Sequence, residues 1–329
     1  MPDVPISDMP RPTRQWEYRV VKPRNFWTFI GLPLALSREK EQADVVFSPT
    51  HYIPRFTPVP KVMAIMDLSY LVYPELFRSV DLQKLTQWTA YAAAKVEHII
   101  TISEFSKSAI IKAYRVDLGR VAVVYPGFVG NTRATHDMTD HIATEAGSGP
   151  YILSVGTLQP RKNFSKLIEA FSKLSDRKIK LVIVGKKGWL YDEILAAPSK
   201  FGVAARVKFL DYVPDSALPA LYQNATCFVL VSLYEGFGLP VLEAMNYGSP
   251  VVVSKSSSLP EIAGDAGIYV DPQDTESIVS GLTQAISEQG KVRSQRVSLG
   301  KSRVKQFTWA HAAGQVMDVL EEVGKRGKK

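Results

Sequence analysis

From Tyr151 onward, short β-branched runs alternate with amphipathic stretches, the pattern of a doubly wound parallel sheet. The runs YILSVG, KLVIVG, RVKFL, CFVLVS, PVVVS and GIYVD are largely apolar, and CFVLVS is nearly continuous, as a strand buried on both faces requires. Between the first two, Phe164, Leu167, Ile168, Phe171 and Leu174 recur at helical spacing, with Asn163 placed to cap that helix. Upstream, EYRVV, VVFS, VMAIM, HIITIS and VAVVYP read as strands of a second α/β unit, with helices over DLQKLTQWTAYAAAKV and EFSKSAIIKAY. The polar, glycine-containing stretch from about Gly127 to Pro150 lacks periodicity and reads as a linker. The last segment, TWAHAAGQVMDVLEEVG, is an amphipathic helix. The expected fold class is α/β, with two Rossmann-like doubly wound domains facing a cleft. Residues 1–140 form the first, 150–308 the second, and 309–329 a terminal helix and basic tail.

Inside this pattern, EGFGLPVLEAMNYGSPVVVS leads from an apolar strand through a glycine turn into a helix. Gly236 and Gly238 permit positive φ and close approach to backbone, and Pro240 suits a first helical turn. Free N–H groups and the helix dipole at such a junction favour an anion. Two carboxylates there, Glu235 and Glu243, are wrong for phosphate and right for gripping paired hydroxyls. A sugar nucleotide offers both kinds of group. Either glutamate alone is equally an ordinary first-turn or loop carboxylate; the pair, with both glycines and the proline, narrows the reading.

Composition adds limits. The length of 329 residues fits two domains, and 46% hydrophobic with 22% charged residues is ordinary for a soluble protein. No stretch approaches about 18 apolar residues, and MPDVPISDMPRPTRQ has no apolar core of a signal peptide. The expected location is therefore cytoplasmic. The lone Cys227 lies in an apolar strand as a small hydrophobe. A net charge of +8 raises nucleic acid and anionic membranes as partners, but the basic residues are dispersed and KRGKK is the only dense run. Without interleaved stacking aromatics, nucleic acid is set aside, while peripheral contact at the inner membrane face stays open. No D-x-D pair occurs, and the five histidines are scattered, so neither a metal nor a cofactor is expected. The oligomeric state is left unassigned.

SVGTLQPRKNFSKLIEAF, VIVGKKGW, VKFLDYVPDSALPALYQNA, EGFGLPVLEAMNYGSPVVVS and SLPEIAGDAGIYVDPQD together resemble the retaining GT-B glycosyltransferases of the group-1 type, mannosyltransferases among them. VVFSPTHYIP, MDLSYLVYPELF and TISEFSKSAIIKAY are similar to the first half of that family. The resemblance implies that Glu243 holds the donor ribose and that Glu235 lies beside the transferred sugar. It puts the backbone of Phe237, Gly238 and Leu239 near the diphosphate, with Gly236 in the same substrate-binding turn, and pairs Arg161 and Lys162 with it. It also implies that Tyr212 and Val213 meet the nucleobase through backbone. The donor it implies is GDP-mannose, with a UDP-sugar as the other choice, and the acceptor a glycan or lipid-linked sugar.

Two departures from the family lie in the first half. The apolar opening strand and its glycine loop have no counterpart, so the N-terminal domain is expected to lack its usual first strand. Met66-Asp67-Leu68 stands where many relatives carry His-Asp-Leu, and methionine neither donates a hydrogen bond nor carries charge. Asp67 is retained, and His51 follows another strand end and is a candidate for the same cleft. The alternative function is therefore a nucleotide-sugar-binding protein with lost or impaired catalysis.

Overall fold

A computed structural model describes residues 9–23, 25–38, 43–130 and 149–327. The interdomain joint expected near residue 140 lies outside them.

The C-terminal half is one parallel sheet of β5 (Tyr151–Val155), β6 (Lys180–Val184), β7 (Val207–Leu210), β8 (Cys227–Leu230), β9 (Val251–Ser254) and β10 (Gly267–Val270). Their spatial order is β10-β9-β8-β5-β6-β7. Each strand carries apolar residues to both faces, because alternate side chains point oppositely. Leu153, Val182 and Phe228 enter one core, while their neighbours Ile152, Leu181 and Val229 enter the other. On the second face, the helix Phe164–Ser172 buries Phe164, Leu167, Ile168 and Phe171. Each such side chain contributes about 1.5–3 kcal/mol. The chain winds outward from β5 through β6 to β7, then returns to β8 on the other side of β5. The loops after β5 and β8 therefore diverge, leaving a crevice at the switch in strand order where ligands of such sheets bind.

The N-terminal half is a second parallel sheet, with β1 (Val46–Ser48), β2 (Lys61–Ala64), β3 (His98–Thr101) and β4 (Val121–Val123) in simple sequential order among the described residues. One face packs Met63, Ile99 and Val121 against Ala92 and Ala93 of the helix Ser79–Lys95 and Ile110 of the helix Glu104–Tyr114. The other face is covered by the last helix, Trp309–Gly327, through Ala312 and Val323 against Val62 and Ile100. The chain thus ends on the half in which it began. Its two crossings between halves touch: Phe128 N–H donates to the Phe307 carbonyl at 3.0 Å. A Cβ on Gly127 would fall 2.1 Å from the Trp309 nitrogen, so only glycine fits there.

Two expectations fail. Residues 17–21, EYRVV, form no strand and lie mostly exposed. Their β-branched character is not enough, because a strand is stabilised by packing on a sheet, and here only Tyr18 and Val21 are even half-buried. Asn163 stands at the helix start but does not cap it. Its backbone is left-handed, at φ 60°, and its side-chain amide donates instead to the carbonyls of Val231 at 3.1 Å and Pro272 at 2.7 Å.

Candidate active site

Those amide bonds tie the loop after β5 to the loops after β8 and β10. Leu233 N–H, donating to the Arg161 carbonyl at 2.9 Å, adds a second tie. Arg161 and Lys162 sit on the short turn Pro160–Lys162, held facing Glu235 across the switch point. Lys162 Nζ lies 2.6 Å from Glu235 Oε1, and Arg161 Nη1 lies 3.1 Å from Oε2. Ser232 Oγ donates to Oε1 at 2.6 Å, and Arg161 also donates to the Tyr234 carbonyl. Glu235 is only 6% exposed. Burial pushes its carboxyl up, but Lys162, Arg161 and the bonds from Lys162 and Ser232 outweigh that and hold it below its usual range. Two cations against one carboxylate leave an excess of one positive charge, suited to an anion.

The segment continues into the helix Leu239–Asn246, entered through Gly238 at φ 116° with Pro240 in its first turn. Glu243 opens the second turn of that helix. Its Oε2 accepts from the buried Tyr222 hydroxyl at 2.6 Å, and no side chain among the described residues donates to its Oε1. Burial raises the Glu243 carboxyl, Tyr222 opposes the rise and Asp215 adds to it. Tyr212 is exposed beneath Lys186, whose Nζ stands 4.6 Å from the ring centroid. Val213 is buried in the core, so only its backbone could meet a ligand. Phe237 is buried too, and packs at 5.6 Å on Phe307.

Opposite this wall stand the carboxyl ends of β1 and β2. A cavity of about 410 Å³ brings His51, Met66 and Asp67 together with Thr157, Gln159, Arg161 and Trp189. Asp67 Oδ1 accepts from Ser69 N–H at 2.8 Å and Ser69 Oγ at 2.6 Å, which fixes its direction. Burial lowers the His51 pKa, with Asp67 opposing, so the imidazole is neutral at pH 7. His51 Nε2 and Gln159 Oε1 are buried with no hydrogen-bond partner among the described residues. Among the described residues, no group of three His, Cys, Asp or Glu side chains could hold a metal.

Sequence reasoning missed Gln159 and Trp189, although both lie in segments that carry the resemblance. It also missed the seam between the halves. Trp189 Nε1 donates to the Leu76 carbonyl, and Ser103 Oγ to that of Gly236 at 2.7 Å. Glu261 accepts from the N–H groups of Glu104 at 2.7 Å and Phe105 at 3.2 Å, capping a helix of the other half. Tyr125 Oη donates to the same carboxylate at 2.7 Å. Gly236 is pressed against the opposite wall: a Cβ there would lie 2.8 Å from the Met66 carbonyl oxygen. The glycine that looked suited to a ligand's approach serves the approach of the two halves.

No helix among the described residues is long and apolar enough to cross a membrane. The family of group 1 glycosyl transferases matches residues 139–303. The O-antigen chain mannosyltransferase B of Escherichia coli is 31% identical over 268 residues, covering 78% of this chain and 68% of that protein. Several further curated relatives are spanned over 60% of their length or less. Among solved structures, the sucrose-phosphate synthase of Thermosynechococcus elongatus superposes with a TM-score of 0.73 at 18% identity, covering 92% of this chain and 80% of that one. Anabaena Alr3699/HepE, solved with UDP-glucose, gives 0.72 at 20% identity, covering 89% and 82%. With the GT-B arrangement of two facing Rossmann-like halves and these relatives, the chain belongs to the group 1 glycosyltransferases.

Proposed function

We propose that this glycosyltransferase moves a hexose, mannose first, from a nucleotide diphosphate sugar to a glycan or lipid-linked acceptor, retaining the anomeric configuration without a metal ion. The observation that carries the reading is the Arg161–Lys162–Glu235 cluster at the switch point, followed early in the next helix by Glu243. Glu243 Oε1 takes the ribose hydroxyls, while Tyr222 steadies the other oxygen. Arg161 and Lys162 take the diphosphate. As the bond from sugar C1 to phosphate oxygen breaks, negative charge grows on that oxygen, and fixed cations stabilise it. Each contact contributes roughly 1.5–3 kcal/mol, about one to two decades in rate if made only in the transition state. Glu235 keeps the cations in place and meets the sugar from their midst.

Among the described residues, the carboxylates beside the cations are engaged, Glu235 by three donors and Asp67, through Oδ1, by Ser69. This supports a front-face route: the acceptor hydroxyl bonds to C1 on the side the diphosphate leaves and gives its proton to the departing phosphate oxygen. His51, neutral and unpartnered, stands in for the imidazole that Met66 does not supply. Mannose as the transferred sugar is favoured by the name of the E. coli relative, and UDP as the carrier by the UDP-glucose bound to the Anabaena neighbour.

Met66, 46% exposed on the cleft, favours a second reading, a nucleotide-sugar binder with impaired transfer. Calorimetry with GDP, UDP and their sugars, followed by a donor-turnover assay with and without EDTA, separates the two. Tight nucleotide binding with no turnover under any acceptor would sink the transferase reading. Absence of nucleotide binding would sink both, and an inverted anomer in the product would end the front-face route.

A further inference from the structure

Beside the cleft, the N-terminal half carries a second hollow of about 90 Å³, walled by Phe29, Tyr52, Trp88, Tyr91 and Arg55. The rings stand edge to face, Tyr52 to Trp88 at 4.9 Å and Phe29 to Trp88 at 5.7 Å. Arg55 lies 4.9 Å from the Tyr91 centroid and 5.6 Å from that of Phe29. Among the described residues no carboxylate pairs with it and no acceptor takes its N–H groups. Two rings thus hold a five-donor fork in a fixed direction with its donors unspent. None of the four aromatics is fully buried. Aromatic walls with one directed polar group are the composition of a ligand pocket rather than of a core.

The hollow continues the cleft along two elements. Pro49, Thr50 and His51 line the cleft, and Tyr52 and Arg55 of the same loop line the hollow. On the helix Ser79–Lys95, Leu85 lines the cleft and Trp88 the hollow, three residues or about 4.5 Å further along the axis. The His51 and Tyr52 rings are 4.1 Å apart across the boundary. A space of 90 Å³ holds about three waters, enough for the face or edge of one sugar ring.

We infer that this hollow is a subsite for the second pyranose of a glycan acceptor, whose C–H face stacks on the aromatic wall while its hydroxyls accept from Arg55. The inference rests on the transferase reading above, since it is the sugar next to the reacting one that the hollow would take. It makes the enzyme an elongating transferase, one that prefers an acceptor of two or more sugars over a single one.

Titration of the intact chain by calorimetry with α-linked manno-oligosaccharides of one to four units, with and without saturating GDP, tests it. The dimer is expected to bind at least tenfold tighter than mannose, with little gain beyond it. Arg55→Ala and Trp88→Ala should each erase that step and leave GDP affinity unchanged. Arg55 is exposed, so its variant keeps the test open if Trp88→Ala does not fold. No step in the wild type, or a step retained in Arg55→Ala, overturns the subsite. A wild type that shows the step but binds neither GDP nor UDP would leave the subsite standing and break the donor reading instead.

Discussion

The two walls of the cleft are built on the same plan and finished differently. On the C-terminal wall the charged groups satisfy one another: Glu235 is shared by Lys162, Arg161 and Ser232, and Glu243 leans on Tyr222. On the N-terminal side, His51 Nε2 and the Arg55 fork have no partner among the described residues. A wall whose two cations share one buried carboxylate can hold them out of water and present them without rearrangement. A wall with open donors is specified by what arrives. The first should tolerate substitution poorly in stability, the second in acceptor use.

The largest expected effect is therefore on folding. Glu235→Ala leaves two largely buried cations facing each other and should cost about 3–5 kcal/mol, lowering Tm by roughly 10 °C at 2–4 °C per kcal/mol. His51→Ala, by contrast, removes no hydrogen bond and no ion pair, only the ring contact on Tyr52, and should lower Tm by clearly less than Glu235→Ala. Equal Tm losses in the two variants would erase the distinction between the walls. The pH dependence follows from the same cluster. Because the folded-state Glu235 carboxyl is held below its ordinary 4.5, its stabilisation is complete above that value and lost as pH falls through the depressed folded value. An acid melt of Glu235→Gln should lack that component.

Next in size is the rate. Arg161→Ala should lower turnover by one to two decades, about 1.5–3 kcal/mol, with donor affinity changed less. Equal losses of donor affinity in Arg161→Ala and Glu243→Ala, with turnover of the bound complex intact, would contradict the assignment of Arg161.

Much of the C-terminal wall was legible because its determinants are periodic or adjacent. The apolar runs from Tyr151 announced all six strands of that sheet, and E-G-F-G-L-P-V-L-E places a carboxylate on either side of one turn. What escaped reading joins distant residues with no period. Ser103 reaches Gly236 across 133 positions, and Glu261 reaches Glu104 across 157. EYRVV misled in the opposite sense, since strand propensity is visible in sequence while the absence of a sheet to bury it is not. The terminal helix showed its apolar stripe, but not that the stripe belongs to the first half.

A smaller effect is expected at Tyr222. Tyr222→Phe removes one hydrogen bond to Glu243, about 1 kcal/mol or near fivefold in nucleotide affinity. The sign in pH is determined: Tyr222 holds the Glu243 carboxyl down against burial and Asp215, so without it the group protonates at higher pH. The acid limb of the GDP-binding profile should shift upward. An unshifted limb would remove Glu243 from the ribose site.

An effect of similar size lies in the seam and decides whether the two walls act as one site. Glu261 caps the helix Glu104–Tyr114 from the opposite half, beside that helix's own Ser103 cap. A cap contributes about 0.5–2 kcal/mol, and this one exists only when the halves are together. Glu261→Ala should leave each half folded and move the closed-to-open ratio by about fivefold. Small-angle scattering of the unliganded chain should show a larger radius of gyration, and acceptor KM should rise while isolated GDP affinity holds, because GDP needs only the C-terminal wall. If GDP affinity falls as much as acceptor affinity, the walls are not separable and the donor site extends across the seam.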